Sequence, residues 1–173
     1  MNRKLFSAAA LAFAALVSSN ADAVDGFAAE AGGGNGVDLW RVGAQWKWQK
    51  KWFTGGAWHL GGYWDLQLGQ WDGASNITDI GLTPTFRFEP SSGYGPYVEA
   101  AIGFHYLSSK NITGAKRFST NFQFGDHIGA GYRFGDKGRY DIGLRLQHLS
   151  NAGIKRPNPG INFALIRFQY HFE

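Results

Sequence analysis

The feature that most constrains the fold of this chain is an alternation of apolar and polar residues, which recurs in segments of about ten residues. A period of two is typical of a β-strand whose two faces meet different surroundings, and ~9–11 residues is the length of a tilted strand that crosses a bilayer. The alternation predicts an all-β protein. The eight segments are Phe27–Gly33, Leu39–Trp48, Trp58–Leu68, Asp79–Glu89, Tyr97–Leu107, Phe122–Phe134, Ile142–Ser150 and Asn162–Phe172.

The two faces of these strands differ in charge. One face is nearly uncharged and ends in aromatic residues such as Trp46, Trp48, Tyr132 and Tyr170, the pattern of a lipid-facing band with an aromatic girdle. The other face mixes Gly with the charged residues Arg41, Glu99, Arg133, Arg145 and Arg167. Eight strands enclose little space, so Gly makes room and the charges should pair inside. The sequence therefore predicts an eight-stranded antiparallel transmembrane β-barrel with a packed polar interior.

The N-terminus has the organisation of a secretory signal peptide. Arg3 and Lys4 precede an apolar run at residues 5–17, and Ala21-Asp22-Ala23 supplies a small-x-small cleavage site. The apolar run is too short to span a membrane as a helix. We therefore expect residues 1–23 to be removed and residues 24–173 to form a single outer-membrane β-barrel domain.

Composition narrows the class further. The chain has no Cys, so disulfides do not hold a domain that is expected to be secreted. Without Arg3, Lys4 and Asp22, 15 basic and 12 acidic residues remain, and a net charge of +3 does not indicate a nucleic-acid-binding protein. A secreted, Cys-free chain in which 25 of 173 residues are Gly and 16% are aromatic is typical of a bacterial outer-membrane barrel.

The connections between strands define the two ends of the barrel. Residues 50–55, 90–95 and 135–139 are turns on the side of both termini, which we assign to the periplasm, and residues 70–78, 108–120 and 151–161 are predicted outer loops. Asp136 and Asp141 lie near one of the turns, and we expect them to be solvated or to cap backbone groups.

The seventh strand carries a His and a Ser on its apolar face. Ile142, Leu144 and Leu146 share that face, and the alternation places His148 and Ser150 on it as well, at the outer end. Their Cα atoms should be ~6.6 Å apart at ~3.3 Å per residue, close enough for an imidazole to reach a hydroxyl. Many strands simply end in such residues, but a polar pair that faces lipid is costly without a function. The pattern therefore predicts a base and a nucleophile at the outer leaflet.

The loop that follows has a specific pattern. The sequence His148-x-Ser150-Asn151-Ala152-Gly153-x-Lys155-x-Pro157-Asn158-x-Gly160 resembles the signature of the lipid A 3-O-deacylase (PagL) family. The resemblance extends over most of the mature chain, to Trp46-x-Trp48, Gly62-Tyr63-Trp64-Asp65 and Asp126-x-Ile128-Gly129-Ala130-Gly131. It implies an eight-stranded outer-membrane barrel that hydrolyses the ester at the 3-position of lipid A, with Ser150 as nucleophile and His148 as base.

The resemblance also implies an acidic residue twelve positions after the Ser, where this chain has Asn162. Asn can orient an imidazole by a hydrogen bond, but it cannot offset the charge of an imidazolium. Asp126 is the alternative acid, because it has outward parity on strand six. If Phe134 pairs with Tyr140 across the turn, the antiparallel register sets Asp126 opposite His148. Both assignments stay open on the sequence alone.

The same loop supplies candidate substrate-binding groups. The amides of Asn151 to Gly153 and the side chains of Asn151 and Asn158 are candidate donors to an oxyanion, and Lys155, with Arg156, is a candidate to hold a lipid A phosphate. The sequence has no phosphate loop, GxSxG elbow or clustered metal-ligand motif, so we expect no cofactor and no metal. The expected partners are lipid A or lipopolysaccharide in the outer leaflet and the membrane itself, without nucleic acid, and a homodimer is left open.

Two other functions fit the strand pattern. A non-enzymatic small outer-membrane barrel, serving as an adhesin or envelope stabiliser, explains the strands equally well but not an outward-facing His148 and Ser150. A soluble lipocalin-like carrier would hide its apolar face inside and show its charges outside.

Overall fold

The structure is a computed structural model that describes residues 23–172. Its strands form a closed antiparallel barrel in which each strand pairs with its neighbour in sequence and the last pairs with the first. They are β1 (Gly26–Gly34), β2 (Val37–Lys47), β3 (Trp58–Asp72), β4 (Asn76–Pro90), β5 (Gly95–Leu107), β6 (Phe122–Phe134), β7 (Tyr140–Ser150) and β8 (Ile161–His171). The predicted eight-stranded antiparallel barrel is confirmed. Of the predicted signal peptide, residues 1–22 lie outside the described residues. No helix within residues 23–172 is long and apolar enough to cross a membrane.

The largest departure from the predicted strands is at the outer end of the β3–β4 hairpin. Gln70 pairs with Thr78, and only residues 73–75 connect the two strands. The Gln70 side-chain amide donates to the Thr78 hydroxyl at 2.7 Å, and the inward-facing Trp71 and Ile77 are buried. The prediction of a loop over residues 70–78 is therefore wrong, because polar residues pair along the outward face while apolar ones fill the lumen.

Inward-facing residues form an ionic core in the middle of the barrel. Arg145 Nη2 lies 2.6 Å from Glu99 Oε1, and Arg145 Nη1 lies 3.2 Å from Glu30 Oε2. Arg167 Nη2 lies 2.7 Å from Asp65 Oδ2, and all five side chains are buried. Buried charges are costly unless they are paired, so this network is what allows a narrow barrel to hold them. The predicted pairing of charges inside the barrel is confirmed.

Asp141 belongs to this core, and the expectation that it is solvated is wrong. Its carboxylate is fully buried, with Oδ2 2.8 Å from Arg87 Nη1 and 2.8 Å from His171 Nε2. As the second residue of β7 it has inward parity, and this decides its environment more than its nearness to the turn does. Asp136, in the turn itself, is exposed as expected.

An apolar cluster fills the outer end of the lumen above the ionic core. Its members are Val37, Leu39, Trp71, Ile77, Leu107, Ile112, Phe118, Leu149, Ile161, Phe163 and Leu165. Two of them, Ile112 and Phe118, come from the β5–β6 loop and are fully buried. These two buried side chains therefore anchor the β5–β6 loop at the outer opening of the barrel, where it lies beside the β7–β8 loop.

The outward-facing surface is apolar, as a lipid-facing surface requires. Ile128, Leu144, Leu146 and Ile166 are each about 60% exposed on the isolated chain. Toward the periplasmic end, aromatic rings such as those of Tyr140 and Phe168 stack on one another, with centroids 6.0 Å apart. The alternation of β7 continues outward through residues 148 and 150, which therefore lie on this surface near its outer edge.

Candidate active site on strand seven

His148 and Ser150 lie where the apolar surface meets the outer loops. Both are half-buried and point outward, between the inward-facing Gln147, Leu149 and Asn151, which are buried. The ionic core is thus on the other side of the strand. Groups that reach this pair come from the membrane surface and from the outer loops, as the sequence predicts.

A hydrogen bond to Asn162 orients the imidazole of His148. The two residues are directly opposed in the β7–β8 ladder, and His148 Nδ1 lies 2.6 Å from Asn162 Oδ1. An amide oxygen can only accept, so Nδ1 must carry the proton in this contact. Nε2 then has a free lone pair, which is the protonation state that a general base requires.

Ser150 is two residues along β7 from His148 and has the same parity. The Ala152 amide approaches its Oγ at 3.4 Å, and among residues 23–172 no hydrogen bond joins Ser150 to His148. Such contacts are often long in enzymes without substrate and tighten when it binds. The Ser150 hydroxyl therefore lies on the same face as the His148 imidazole, two residues along the strand.

The β1–β2 turn supports the residue that holds the imidazole. Asn162 donates its backbone amide to Asn35 Oδ1 at 3.0 Å. Asn35 has φ 56° and is followed by Gly36 with φ 76°, the left-handed pair of a tight Asn-Gly hairpin turn. The first hairpin of the barrel thus braces the start of β8, a contact between distant parts of the chain that the sequence does not reveal.

Asn151 organises the loop that follows Ser150. Its Oδ1 accepts from the Gly153 amide at 3.0 Å, and its own amide donates to Asn158 Oδ1 at 3.0 Å. Its Nδ2 donates to the Lys155 carbonyl and to Ser119 Oγ, each at 2.8 Å. The Ser119 hydroxyl in turn donates to the same Lys155 carbonyl at 2.7 Å. The β5–β6 loop therefore holds the β7–β8 loop, and Ser119 is a site residue that the sequence did not indicate.

These hydrogen bonds show which of the predicted oxyanion donors are already occupied within the loop. The amides of Asn151 and Gly153 are engaged within the loop, and so is the Asn151 side chain. The Ala152 amide faces Ser150 Oγ. Asn158 is fixed through Oδ1, and within the described residues its Nδ2 has no hydrogen-bond partner. Among the predicted groups, Asn158 Nδ2 is thus open to bind a substrate oxygen, and Ala152 N is held only by the long contact to Ser150 Oγ. The side chain of Lys155 is exposed.

Asp126 has the predicted position but does not bind the imidazole. Phe134 pairs with Tyr140, and the same register places Asp126 directly opposite His148. The Asp126 side chain is exposed, and the bond to His148 Nδ1 is made by Asn162 instead. The role of orienting the ring in this structure therefore falls to Asn162.

A groove of about 570 Å³ opens beside the His148 ring on the membrane-facing side. Small residues shape its floor, because Gly33 has no side chain and Ala164 has a short one. Its outward-facing lining consists of Gly33, Asp126, Ile128, Leu146, Asn162 and Ala164. The aliphatic walls of this groove can accept an alkyl chain, with the polar end of the chain beside the imidazole. No group of three or more potential metal ligands occurs among the described residues.

The fold and the site together define a small membrane-embedded barrel with a His–Ser pair on its outer-leaflet surface. The sequence model of the family described as lipid A 3-O-deacylase (PagL) matches residues 38–171. The chain therefore belongs to the lipid A 3-O-deacylase family, and it is an outer-membrane β-barrel enzyme that hydrolyses carboxylic esters.

Curated relatives and a solved structure agree with this assignment. The lipid A deacylase PagL of Pseudomonas aeruginosa is 33% identical over 164 residues, which cover 92% of this chain and 93% of that protein. The lipid A deacylase PagL of Bordetella bronchiseptica is 36% identical over 125 residues, which cover 69% of this chain and 67% of that protein. The crystal structure of the outer membrane enzyme PagL matches with a TM-score of 0.77 and 30% identity, over 85% of this chain and 99% of the other.

Proposed function

We propose that this enzyme removes the 3-O-linked acyl chain of lipid A in the outer leaflet, with Ser150 as nucleophile and His148 as general base. The observation that carries the proposal is the position of the pair. A hydrogen bond to Asn162 fixes Nδ1 of the imidazole, and Nε2 is left open beside an outward-facing Ser at the membrane boundary. A hydrolase of soluble esters would have no reason to present this pair to lipid.

The chemistry proceeds by acyl transfer through the Ser. Ser150 Oγ attacks the ester carbonyl carbon while His148 Nε2 takes the hydroxyl proton. The tetrahedral adduct collapses, the bond to the 3-oxygen of the sugar breaks, and His148 delivers its proton to the departing alkoxide. Water, deprotonated by His148, then attacks the acyl-Ser ester. The free hydroxy fatty acid leaves and Ser150 recovers its proton.

The oxyanion is stabilised by donors from the β7–β8 loop. Ala152 N already faces Ser150 Oγ, and Asn158 presents Nδ2 because its Oδ1 is held by the Asn151 amide. Preorganised donors of this kind stabilise the developing charge without reorganisation, and loss of one typically costs ~10²–10³-fold in rate. Asn151 and Gly153 contribute by holding this loop in shape.

The surroundings of the pair suit lipid A as substrate. The acyl chain occupies the groove lined by Leu146 and Ala164, while the sugar stays at the level of the outer loops. The exposed Lys155 and Arg156 in the β7–β8 loop supply positive charge for a lipid A phosphate. A homodimer stays a prediction, and cross-linking of the enzyme in membranes tests it.

Mass spectrometry of lipid A tests the proposed function. Cells that produce the parent protein should lose the 3-linked hydroxy fatty acid from lipid A, and Ser150→Ala should lower that release by roughly 10⁴-fold or more while the barrel stays folded. Ser92→Ala, in a periplasmic turn, is the matched control and should behave as the parent. Full deacylation by the Ser150→Ala protein would remove Ser150 from the mechanism, and lipid A that is unchanged by the parent would remove the proposed substrate.

A further inference from the structure

A row of three polar side chains crosses strands β6, β7 and β8 on the membrane-facing surface. Asp126 lies directly opposite His148, and His148 lies directly opposite Asn162. We refer to these three residues as the polar row. The next outward-facing residues toward the periplasm are Ile128, Leu146 and Ala164. The polar row therefore borders the aliphatic part of the apolar surface, and on β6 the aromatic residues Phe124 and Phe122 lie beyond it.

Asp126 is unusual among the outward-facing residues of the described strands. Two others are acidic residues, and both stand near outer strand ends: Asp38 is the second residue of β2, and Asp72 is the last residue of β3. Asp126 is the fifth residue of β6, directly above an apolar Ile. Within residues 23–172 its carboxylate has no hydrogen-bond or ion-pair partner. A carboxylate that faces lipid without a structural partner is costly, and residues of this kind generally serve a function.

We propose that Asp126 supplies the negative charge that the Asn162 amide lacks. The acid of a Ser-His-acid triad orients the imidazole and stabilises the positive charge that the ring acquires. In this chain the two contributions come from different strands, because Asn162 on β8 orients the imidazole through Nδ1 and Asp126 on β6 stabilises the imidazolium. This rests on the proposed function, since it requires His148 to accept a proton. Asp126 acts through His148, so it is a positioning residue and not a catalytic one.

The geometry supports this division. Directly opposed residues of an antiparallel pair have Cβ atoms ~4.5–5.5 Å apart, so the carboxylate lies near the ring without a bond to it. Neither ring nitrogen is available to bind Asp126, because Nδ1 donates to Asn162 and Nε2 must stay open for Ser150. A through-space attraction needs neither nitrogen, and it is stronger beside hydrocarbon than in water because the dielectric constant is lower.

A double-mutant cycle at positions 126 and 162 tests the division. Four purified proteins are compared on purified lipid A in detergent: the parent, Asp126→Asn, Asn162→Glu and the double variant. In the parent background Asp126→Asn should lower kcat by roughly 10–10²-fold and change KM by less than about threefold, because the charge matters only once the imidazolium forms. In the Asn162→Glu background residue 162 carries the charge itself, and Asp126→Asn should cost less than about threefold.

Equal losses in the two backgrounds, or an unchanged kcat for Asp126→Asn in the parent, would overturn the proposal. Asp126→Glu keeps the charge and should retain most of the parent kcat, and this comparison holds even where the double variant does not fold. Asp72→Asn removes an outward carboxylate that lies away from the polar row and should match the parent. Ser150→Ala separates the two proposals: an inactive Ser150→Ala beside a fully active Asp126→Asn rejects only the division of roles, whereas an active Ser150→Ala rejects the mechanism itself.

Discussion

Gly160 lies against the imidazole of His148. A Cβ at position 160 would be 2.6 Å from His148 Cε1 and 3.2 Å from Nε2, and no real side chain makes the first of these contacts. Gly160 also has φ 62°, a left-handed conformation in which Gly is favoured. The backbone of the β7–β8 loop therefore forms one wall of the position in which the His148 ring is held.

Gly160→Ala should lower activity by displacing the ring. The added methyl group must push the imidazole away from Ser150 or open the loop, and a displacement of ~1 Å in an active site can cost 10²-fold in rate. We expect kcat to fall by roughly 10–10²-fold, measured on detergent-solubilised protein with purified lipid A. Gly93→Ala is the matched control, since Gly93 has φ 76° and open space where its Cβ would stand. Equal kcat values for the two variants would show that the contact is not important.

The contact between Ser119 and Asn151 predicts coupling between two loops. Asn151→Ala removes the bonds to Gly153 N, Ser119 Oγ and Lys155 O together, and should lower kcat by roughly 10²-fold because the β7–β8 loop loses its shape. Ser119→Ala leaves the Asn151–Lys155 bond in place, so a loss of roughly 3–10-fold is expected.

The double variant of Ser119 and Asn151 should be no slower than Asn151→Ala alone, because Ser119 acts through Asn151. Ser109→Ala, in the same β5–β6 loop, serves as control, since within residues 23–172 Ser109 Oγ binds only the nearby Asn111 amide. Additive losses in the double variant would show that Ser119 acts on the substrate or the loop by another route.

The ionic core predicts a large stability loss on removal of one partner. Arg145→Met leaves Glu99 and Glu30 without the guanidinium that binds both, and breaking a buried ion pair from one side costs about 3–5 kcal/mol. Urea unfolding of the barrel in lipid vesicles measures the change. Lys50→Met, at an exposed position, is the control and should have the same urea midpoint as the parent. A midpoint for Arg145→Met that equals the parent value would show that the charges of the lumen do not hold the barrel.

The parity of the strands was enough to predict which residues share a face. A period of two places His148, Ser150 and Asn162 outward once the strands are assigned, and the short β6–β7 turn sets the register that brings Asp126 opposite His148. These are consequences of local geometry, so they follow from the sequence without any knowledge of the loops.

The contacts that could not be predicted are those between segments far apart in sequence. Ser119 meets Asn151 because Phe118 is buried in the barrel mouth, and Asn35 meets Asn162 because β1 closes the barrel on β8. Neither contact has a periodic pattern. Asp141 differs from these contacts, because the parity of β7 alone accounts for its burial although it lies next to a turn.

Asn162 holds the His148 ring through its side-chain oxygen alone. Asn162→Ala removes the acceptor of the Nδ1 proton but keeps the backbone amide that donates to Asn35, so the start of β8 should stay in place. The imidazole then has no partner that selects its tautomer, and the proton can move to Nε2. Protonated Nε2 has no lone pair with which to accept the Ser150 proton. Loss of the residue that orients the imidazole in a related triad costs up to ~10⁴-fold. With the charge that we propose for Asp126 still in place, we expect kcat to fall by roughly 10²–10³-fold. Asn76→Ala is the matched control: Asn76 is also an outward-facing Asn at the start of a strand, but it lies in β4, away from the site. If Asn162→Ala turns over lipid A as fast as Asn76→Ala, the hydrogen bond to Nδ1 has no part in the reaction, and the His148 ring is held by Gly160 and its other neighbours alone.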